Sequence, residues 1–310
     1  MKALVTGCAG FIGSHLTDRL LALGYEVTGI DSFTDYYSRK LKEANIASAM
    51  KSERFTMIER DLVTMGTYPK VDYVFHLAAQ AGVRASWGQT FEIYVRNNIE
   101  ATQKLLEFYK DAKPKKLVFA SSSSVYGDAK LPMNEESLLK PVSPYGVTKL
   151  ASENLCYLYW KNYRLPTVSL RYFTVYGPRV RPDMAINKFV RAISAGDEIP
   201  VFGDGSQTRD FTFVSDIVEG NILAATGDAA GEVLNLGGGN RISVKDLIGH
   251  MEEILGRSAK IRYEPAQKGD VLDTLADVYK ARLMLGWKPQ VPIRKGLEEY
   301  IRWWQQTGQQ

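Results

Sequence analysis

The order of apolar runs predicts an α/β fold, a doubly wound parallel sheet joined to a smaller C-terminal α/β part. Three observations lead there. Short buried-strand patterns alternate with helical patterns through residue 175, the first strand opens onto a glycine loop, and glycine- and proline-punctuated sequence takes over from Tyr176.

Residues 3–5 are an apolar run, followed by Thr6-Gly7-Cys8-Ala9-Gly10-Phe11-Ile12-Gly13 and a helical pattern at 14–23 that ends at Gly24. A second strand, 26–30, ends on Asp31. Glycines let the backbone approach a pyrophosphate, and the helix N-terminus adds N–H donors and positive potential. Asp31, 18 positions past Gly13, is placed to accept from adenosine ribose hydroxyls and to repel a 2′-phosphate, which favours NAD over NADP. The spacing is Gly-x2-Gly-x2-Gly rather than Gly-x-Gly-x2-Gly, so the flanking strand and helix carry this Rossmann-like reading more than the triplet does.

Further strands are expected at 55–59, 73–77, 116–120 and 167–171, with helices near 92–110 and 145–162. A doubly wound sheet binds its ligand outside the carboxyl ends of its strands. Asp61, Leu62, Leu77, Ala78, Ala79, Gln80, Asn98 and Tyr172 fall at such ends or at a helix start, and join Gly7, Gly10, Phe11, Ile12, Gly13 and Asp31 as candidates for the cofactor. Residues 1–175 are read as the NAD-binding domain and 176–310 mainly as the substrate domain, with segments at about 212–238 returning to the first.

Composition narrows the function classes. Hydrophobic content of 45% and charged content of 24% are those of a globular protein. A net charge of +4 with no dense basic block argues against nucleic acid as a partner. Two cysteines, Cys8 and Cys156, point away from a disulfide framework and toward a reducing, cytoplasmic setting. No apolar signal region or run of 18 apolar residues predicts export or a membrane span. His15, His76 and His250 lack metal-ligand spacing, so no metal is expected and they are read as structural.

The chemistry concentrates between Lys116 and Asn162. An apolar strand stops at Ser121, Ser122, Ser123 and Ser124, where hydroxyls line a cleft. Ser143 and Pro144 form an N-cap and first-turn proline, so Tyr145 and Lys149 share one face of the helix that follows. A nearby ammonium and the helix N-terminus are expected to lower the tyrosine pKa and make it a base near neutral pH. Tyr-x3-Lys occurs five times in the chain, at Tyr36, Tyr109, Tyr126, Tyr145 and Tyr157; only Tyr145 opens a capped helix after a serine-rich strand end. Arg179, Arg181 and Arg209 sit in glycine- and proline-rich loops, suited either to bidentate contact with phosphate or carboxylate or simply to solvation. Phe33, Tyr36 and Tyr37 either line the cofactor edge or pack a loop.

Taken together, TGCAGFIG, YGVTK, the hydroxyl-rich strand end and RYF resemble the extended short-chain dehydrogenase/reductase family, specifically nucleotide-sugar epimerases, over nearly the whole length. The strings DSFTDYYSRKLKEAN, AAQAGVRASW, SPYGVTKL, RYFTVYGPRVRPDMA and FGDGSQTRDFTFVSDI are most similar to UDP-glucuronate 4-epimerases. The resemblance implies bound NAD, Tyr145 as general base, Lys149 as the group that lowers its pKa and grips the nicotinamide ribose, and Ser122 as the partner of the reacting hydroxyl. It implies UDP-sugar contacts from Arg84, Ser123, Ser124, Thr174, Arg181, Asn187, Lys188, Val201, Phe202, Gln207, Arg209 and Asp270. Thr174 stands where galactose-type epimerases tend to carry Asn, which suits a different C6 group, and Ser123, Ser124 and Arg181 offer donors to a carboxylate.

The implied reaction is 4-epimerisation through a transient 4-keto sugar. Related decarboxylases and 4,6-dehydratases carry acids where this chain has Ser123 and Ser124, which ranks UDP-glucuronate 4-epimerase first. A UDP-glucose/UDP-galactose or N-acetyl-sugar epimerase, a UDP-glucuronate decarboxylase and a dehydratase follow. A sensor that kept the fold and lost turnover is the non-enzymatic alternative. The family also implies a homodimer formed through the helices near 92–110 and 145–162.

Overall fold

The computed structural model describes residues 1–239, 241–265 and 271–308. The first part runs β1 (Lys2–Thr6), α1 (Phe11–Ala22), β2 (Glu26–Asp31), α2 (Arg39–Ile46), β3 (Phe55–Glu59) and β4 (Tyr73–His76). It continues with α3 (Phe91–Tyr94), a π-helical segment Val95–Glu100, α4 (Ala101–Ala112), β5 (Lys116–Ser122), α5 (Pro144–Tyr163) and β6 (Thr167–Tyr172). The C-terminal part holds β7 (Val175–Tyr176), α6 (Ala185–Ala195), β8 (Glu198–Phe202), β9 (Thr208–Asp210), β10 (Thr212–Phe213), α7 (Val214–Thr226) and β11 (Glu232–Leu236). After these come β12 (Arg241–Ser243), α8 (Val244–Leu255), β13 (Lys260–Glu264), α9 (Tyr279–Leu285) and α10 (Ile293–Thr307).

Seven parallel strands form one sheet in the order β11-β6-β5-β4-β1-β2-β3. Strands β4 and β6 are buried along their whole length, which is why they read as unbroken apolar-rich runs instead of alternating ones. The chain winds outward from β1 in both directions, so β1 and β4 are the neighbours between which a crevice opens at the carboxyl edge. Strand β11 lies beside β6, and α7 packs on α1, β5 and β6. The remaining strands pair in twos, β8 with β13, β9 with β12 and β7 with β10. One apolar core runs from Val5, Leu16 and Phe75 under the sheet to Ile199, Trp287 and Tyr300 in the C-terminal part.

The helix expected near 92–110 is interrupted. Residues Val95–Glu100 form a π turn between α3 and α4, and Asn97 and Asn98 both lie in it. Helix α5 starts where its cap predicts: the Ser143 hydroxyl accepts from the Gly146 N–H at 3.1 Å, Pro144 follows, and Arg164 ends the helix in the left-handed region at φ 58°.

Candidate active site

A long cavity follows the carboxyl edge of the sheet from Asp31, past the glycine loop, to Tyr145. Glycine is required at its start. A Cβ on Gly13 would fall 2.1 Å from the Gly7 carbonyl oxygen, and Gly7 itself has φ +71°. The turn brings the N-terminus of α1 to the cavity with no acidic residue in its first turn, leaving its positive end for an anion. Strand ends on either side hold the walls: Gly7 N–H donates to the Ile30 carbonyl at 2.7 Å, and the Thr6 hydroxyl lies 2.8 Å from His76 Nδ1 and accepts from Ala78 N–H at 3.1 Å. His76 is therefore structural, and burial lowers its pKa to about 3.

At the far end the Asp31 carboxylate accepts from Ala9 N–H at 3.1 Å and Phe33 N–H at 2.9 Å. Burial raises its pKa, while these bonds and nearby Lys42 pull it down. A pyrophosphate at the helix end and a ribose at the carboxylate suit these residues, so the cavity fits a dinucleotide. Of the expected cofactor residues, Gly7, Gly10, Phe11, Ile12, Gly13, Asp31, Asp61, Leu62, Leu77, Ala78, Ala79, Gln80, Tyr145, Lys149 and Tyr172 line this cavity. Asn98 does not. It is buried behind the wall, accepting from Gln80 N–H at 2.7 Å and donating to the Thr148 hydroxyl at 2.9 Å, while its neighbour Asn97 faces the cavity. Both asparagines lie in the π turn, which sequence spacing does not reveal. Ser121, expected at the strand end, lines it too, as do Tyr36 and Tyr37, while Ile30, Ser32, Thr34, Lys42 and Arg60 are further wall residues missed in the sequence.

Three residues four apart on α5 fasten it to the end of β5. Tyr145 hydrogen-bonds Ser122, Lys149 Nζ donates to the Ala120 carbonyl at 2.8 Å, and Glu153 accepts from the Ser121 hydroxyl at 2.7 Å. Glu153 also takes both forks of buried Arg171, at 3.1 and 2.5 Å. Removing one partner of such a pair costs about 3–5 kcal/mol.

The electrostatics differ from the expectation drawn from spacing. Burial raises the Tyr145 pKa, and the groups that pull it back toward the phenolate are Ser122 and the Arg181 guanidinium, not Lys149. Lys149 is itself buried, its ammonium held by the Ala120 carbonyl and 5.0 Å above the Phe119 ring, and its pKa falls to about 8. Helical spacing put the two side chains on one face, yet the ammonium is held by the Ala120 carbonyl of β5.

A second, smaller cavity lies on the other side of the serine run, lined by Ser123, Ser124 and Thr174 with Val83, Val142, Ser143, Arg209, Val271 and Thr274. Arg209 is oriented by bonds to the Thr208 and Leu272 carbonyls at 2.9 and 2.8 Å. Arg84 stacks on the Phe202 ring at 4.3 Å, and Gln207 donates to the Phe202 carbonyl at 2.7 Å. Arg181 faces the first cavity, where Asp183 holds it at 2.9 and 3.0 Å. Asn187, Lys188 and Val201 line neither cavity: Asn187 and Val201 are buried and Lys188 is exposed. Arg179 pairs with Asp18 of α1 at 2.8 Å and ties the loop to the helix. Asp270 lies outside the described residues. The two cavities lie on either side of Ser122, with Ser121 and Tyr145 lining the first and Ser123, Ser124 and Ser143 lining the second. Among the described residues no group of acids, histidines and cysteines could hold a metal.

Comparison with known proteins agrees with this geometry. Residues 3–237 match the profile of the NAD dependent epimerase/dehydratase family. A UDP-glucuronate 4-epimerase of Thermodesulfobacterium geofontis is 42% identical, covering 97% of this chain and 95% of that one. A Bacillus subtilis protein described as an uncharacterized UDP-glucose epimerase, YtcB, is 43% identical, covering 97% of each. The crystal structure of UDP-glucuronic acid 4-epimerase from Bacillus cereus, in complex with UDP-glucuronic acid and NAD, superimposes with a TM-score of 0.95 at 43% identity, covering 99% of this chain and 100% of that one. The chain thus belongs to the NAD dependent epimerase/dehydratase family.

Proposed function

We propose that this protein is an NAD-dependent UDP-sugar 4-epimerase whose substrate is UDP-glucuronate and whose product is UDP-galacturonate. The observation that carries the reading is Tyr145 at the end of a dinucleotide-shaped cavity, bonded to Ser122, whose chain neighbours Ser123 and Ser124 line a second, hydroxyl-rich cavity. Residues 1–175, with about 212–238, hold NAD: the Gly7–Gly13 loop takes the pyrophosphate, Asp31 the adenosine ribose, and Tyr145 with Lys149 the nicotinamide ribose. When bound there, NAD takes hydride from the sugar C4 and later returns it. Tyr145 accepts the 4-hydroxyl proton, aided by the hydrogen bond from Ser122, and gives it back after the 4-keto sugar has turned its other face. Residues 176–310 mainly hold the UDP-sugar, through Arg209 and Phe202 with Arg84.

A 4-keto glucuronate is a β-keto acid, and it loses CO2 only when the bond to its carboxylate aligns with the carbonyl π system. Ser123, Ser124 and Thr174 share one wall and offer hydroxyl donors that pin the carboxylate away from that alignment. None is an acid that would assist elimination.

The test is incubation of purified protein with UDP-glucuronate without added NAD, following the C4 proton by NMR. Accumulation of UDP-galacturonate is expected. Formation of UDP-galactose from UDP-glucose instead, the activity suggested by the name of the B. subtilis relative, would move the assignment to a neutral sugar. UDP-xylose as main product would make it a decarboxylase. Exposed apolar side chains on α5, Val147, Tyr157 and Leu158, and Ile93 and Val95 nearby support a homodimer through these helices, which light scattering would detect. No helix among the described residues is long and apolar enough to cross a membrane, and two free cysteines suit the cytoplasm as its compartment.

A further inference from the structure

Helix α5 begins with four N–H positions that its own turns cannot satisfy. Of the first helical residues, Pro144 has none and Gly146 is met by the Ser143 hydroxyl, while Val147 makes the helix's own first bond, to the Ser143 carbonyl at 3.1 Å. That leaves Tyr145. Its N–H donates to Ser86 Oγ at 3.1 Å, across 59 residues of chain. Ser86 is fully buried and donates in turn to the Val83 carbonyl at 2.6 Å. The Tyr145 carbonyl is held from the same side: it accepts from the Thr148 hydroxyl at 2.8 Å, which Asn98 links to the Gln80 main chain. The loop after β4 therefore holds the Tyr145 N–H directly and its carbonyl only through Asn98 and Thr148. That loop walls both cavities, with Gln80 and Ala81 in the first and Val83 in the second, and carries Arg84 onto Phe202. Packing leaves no slack, since a Cβ on Gly146 would sit 2.5 Å from the Ser124 carbonyl oxygen.

We propose that Ser86 is a positioning residue for Tyr145: its hydroxyl supplies from another loop the cap that fixes the tyrosine main chain beside Ser122. The role rests on the reading of Tyr145 as the proton-transfer group. A bare N–H at that position lets the first turn shift, and a displacement of about 1 Å at a reacting group can cost 100-fold in rate. The experiment compares NAD-loaded wild type, Ser86→Ala and Ser86→Cys with UDP-glucuronate. A fall in kcat of about 10- to 100-fold in Ser86→Ala is expected, and a smaller fall in Ser86→Cys, with KM within about 2-fold and NAD content unchanged. Wild-type kcat in Ser86→Ala overturns the proposal, as does a loss of turnover matched by lost NAD or a raised KM, which marks general disruption. Should Ser86→Ala fail to fold, Ser86→Cys, which keeps the volume and offers a poorer acceptor, is judged on the same readouts. An inactive wild type defeats the epimerase reading itself.

Discussion

The two cavities on either side of Ser122 are built in different ways. The first is a row of strand ends: β1, β2, β4, β5 and β6 each deliver one or more wall residues as they leave the sheet, and its geometry is that of the sheet. The second is assembled from short pieces at Val83, Ser123, Val142, Thr174, Arg209 and Val271 that share no element. A wall set by the sheet holds a fixed cofactor, whereas one made of separate loops is where a change of substrate requires the fewest structural adjustments.

Four substitutions sharpen that contrast. Tyr145→Phe removes the phenol at the end of the first cavity and is expected to lower kcat by about 10³-fold, within the range of general acid–base catalysis, while NAD content stays at the wild-type level. Full turnover in that variant, measured by NMR of the product, would show that the base lies elsewhere. Gly13→Ala strikes the sheet-built wall, because the new methyl has no space beside Gly7. It should cost about 1–3 kcal/mol of stability and most of the bound NAD, read from a thermal melt and the absorbance of released nucleotide. Arg209→Ala strikes the loop-built wall alone. Loss of a charged hydrogen-bonding group is worth about 1.5–3 kcal/mol, so KM for the UDP-sugar should rise about 10- to 100-fold with NAD retained. If NAD were lost as well, the two walls would not be independent.

The smallest effect is a shift along the pH axis. Arg181 favours the Tyr145 phenolate, so in Arg181→Met the tyrosine pKa rises, less base is present at a given pH, and the acid limb of kcat moves to higher pH. A pH–rate profile identical to wild type would mean that Arg181, held by Asp183, does not act on the tyrosine in the working enzyme.

The same contrast explains what could be read in advance. Residues of the first wall sit at fixed offsets from strand ends, and strand ends are visible as the stop of an apolar run, so Asp31, Leu77 and Ser121 to Ser124 were legible. Asn98 falls behind the wall and Asn97 on it, in a π turn that leaves no compositional mark. The helical spacing of Tyr145 and Lys149 was legible, but the capture of Lys149 by a carbonyl on β5 was not, since a main-chain acceptor has no signature in the sequence. In the second cavity, Val142, Val271 and Thr274 carry no pattern, Ser123, Ser124 and Arg209 were marked by a strand end and a glycine-rich loop, and Thr174 was found only through resemblance to a family.

Strand β11 has one more consequence. It closes the sheet beside β6, yet it arrives some 60 residues later in the chain, after the sugar-side loops have been laid down. A fragment ending at residue 175 would carry every residue assigned to NAD and still present β6 as an open edge, with the apolar surfaces of α1 and β6 uncovered where α7 should lie. Such a piece would be prone to pair with its own copies, so the sheet of the N-terminal part depends for its solubility on chain that follows β7 to β10.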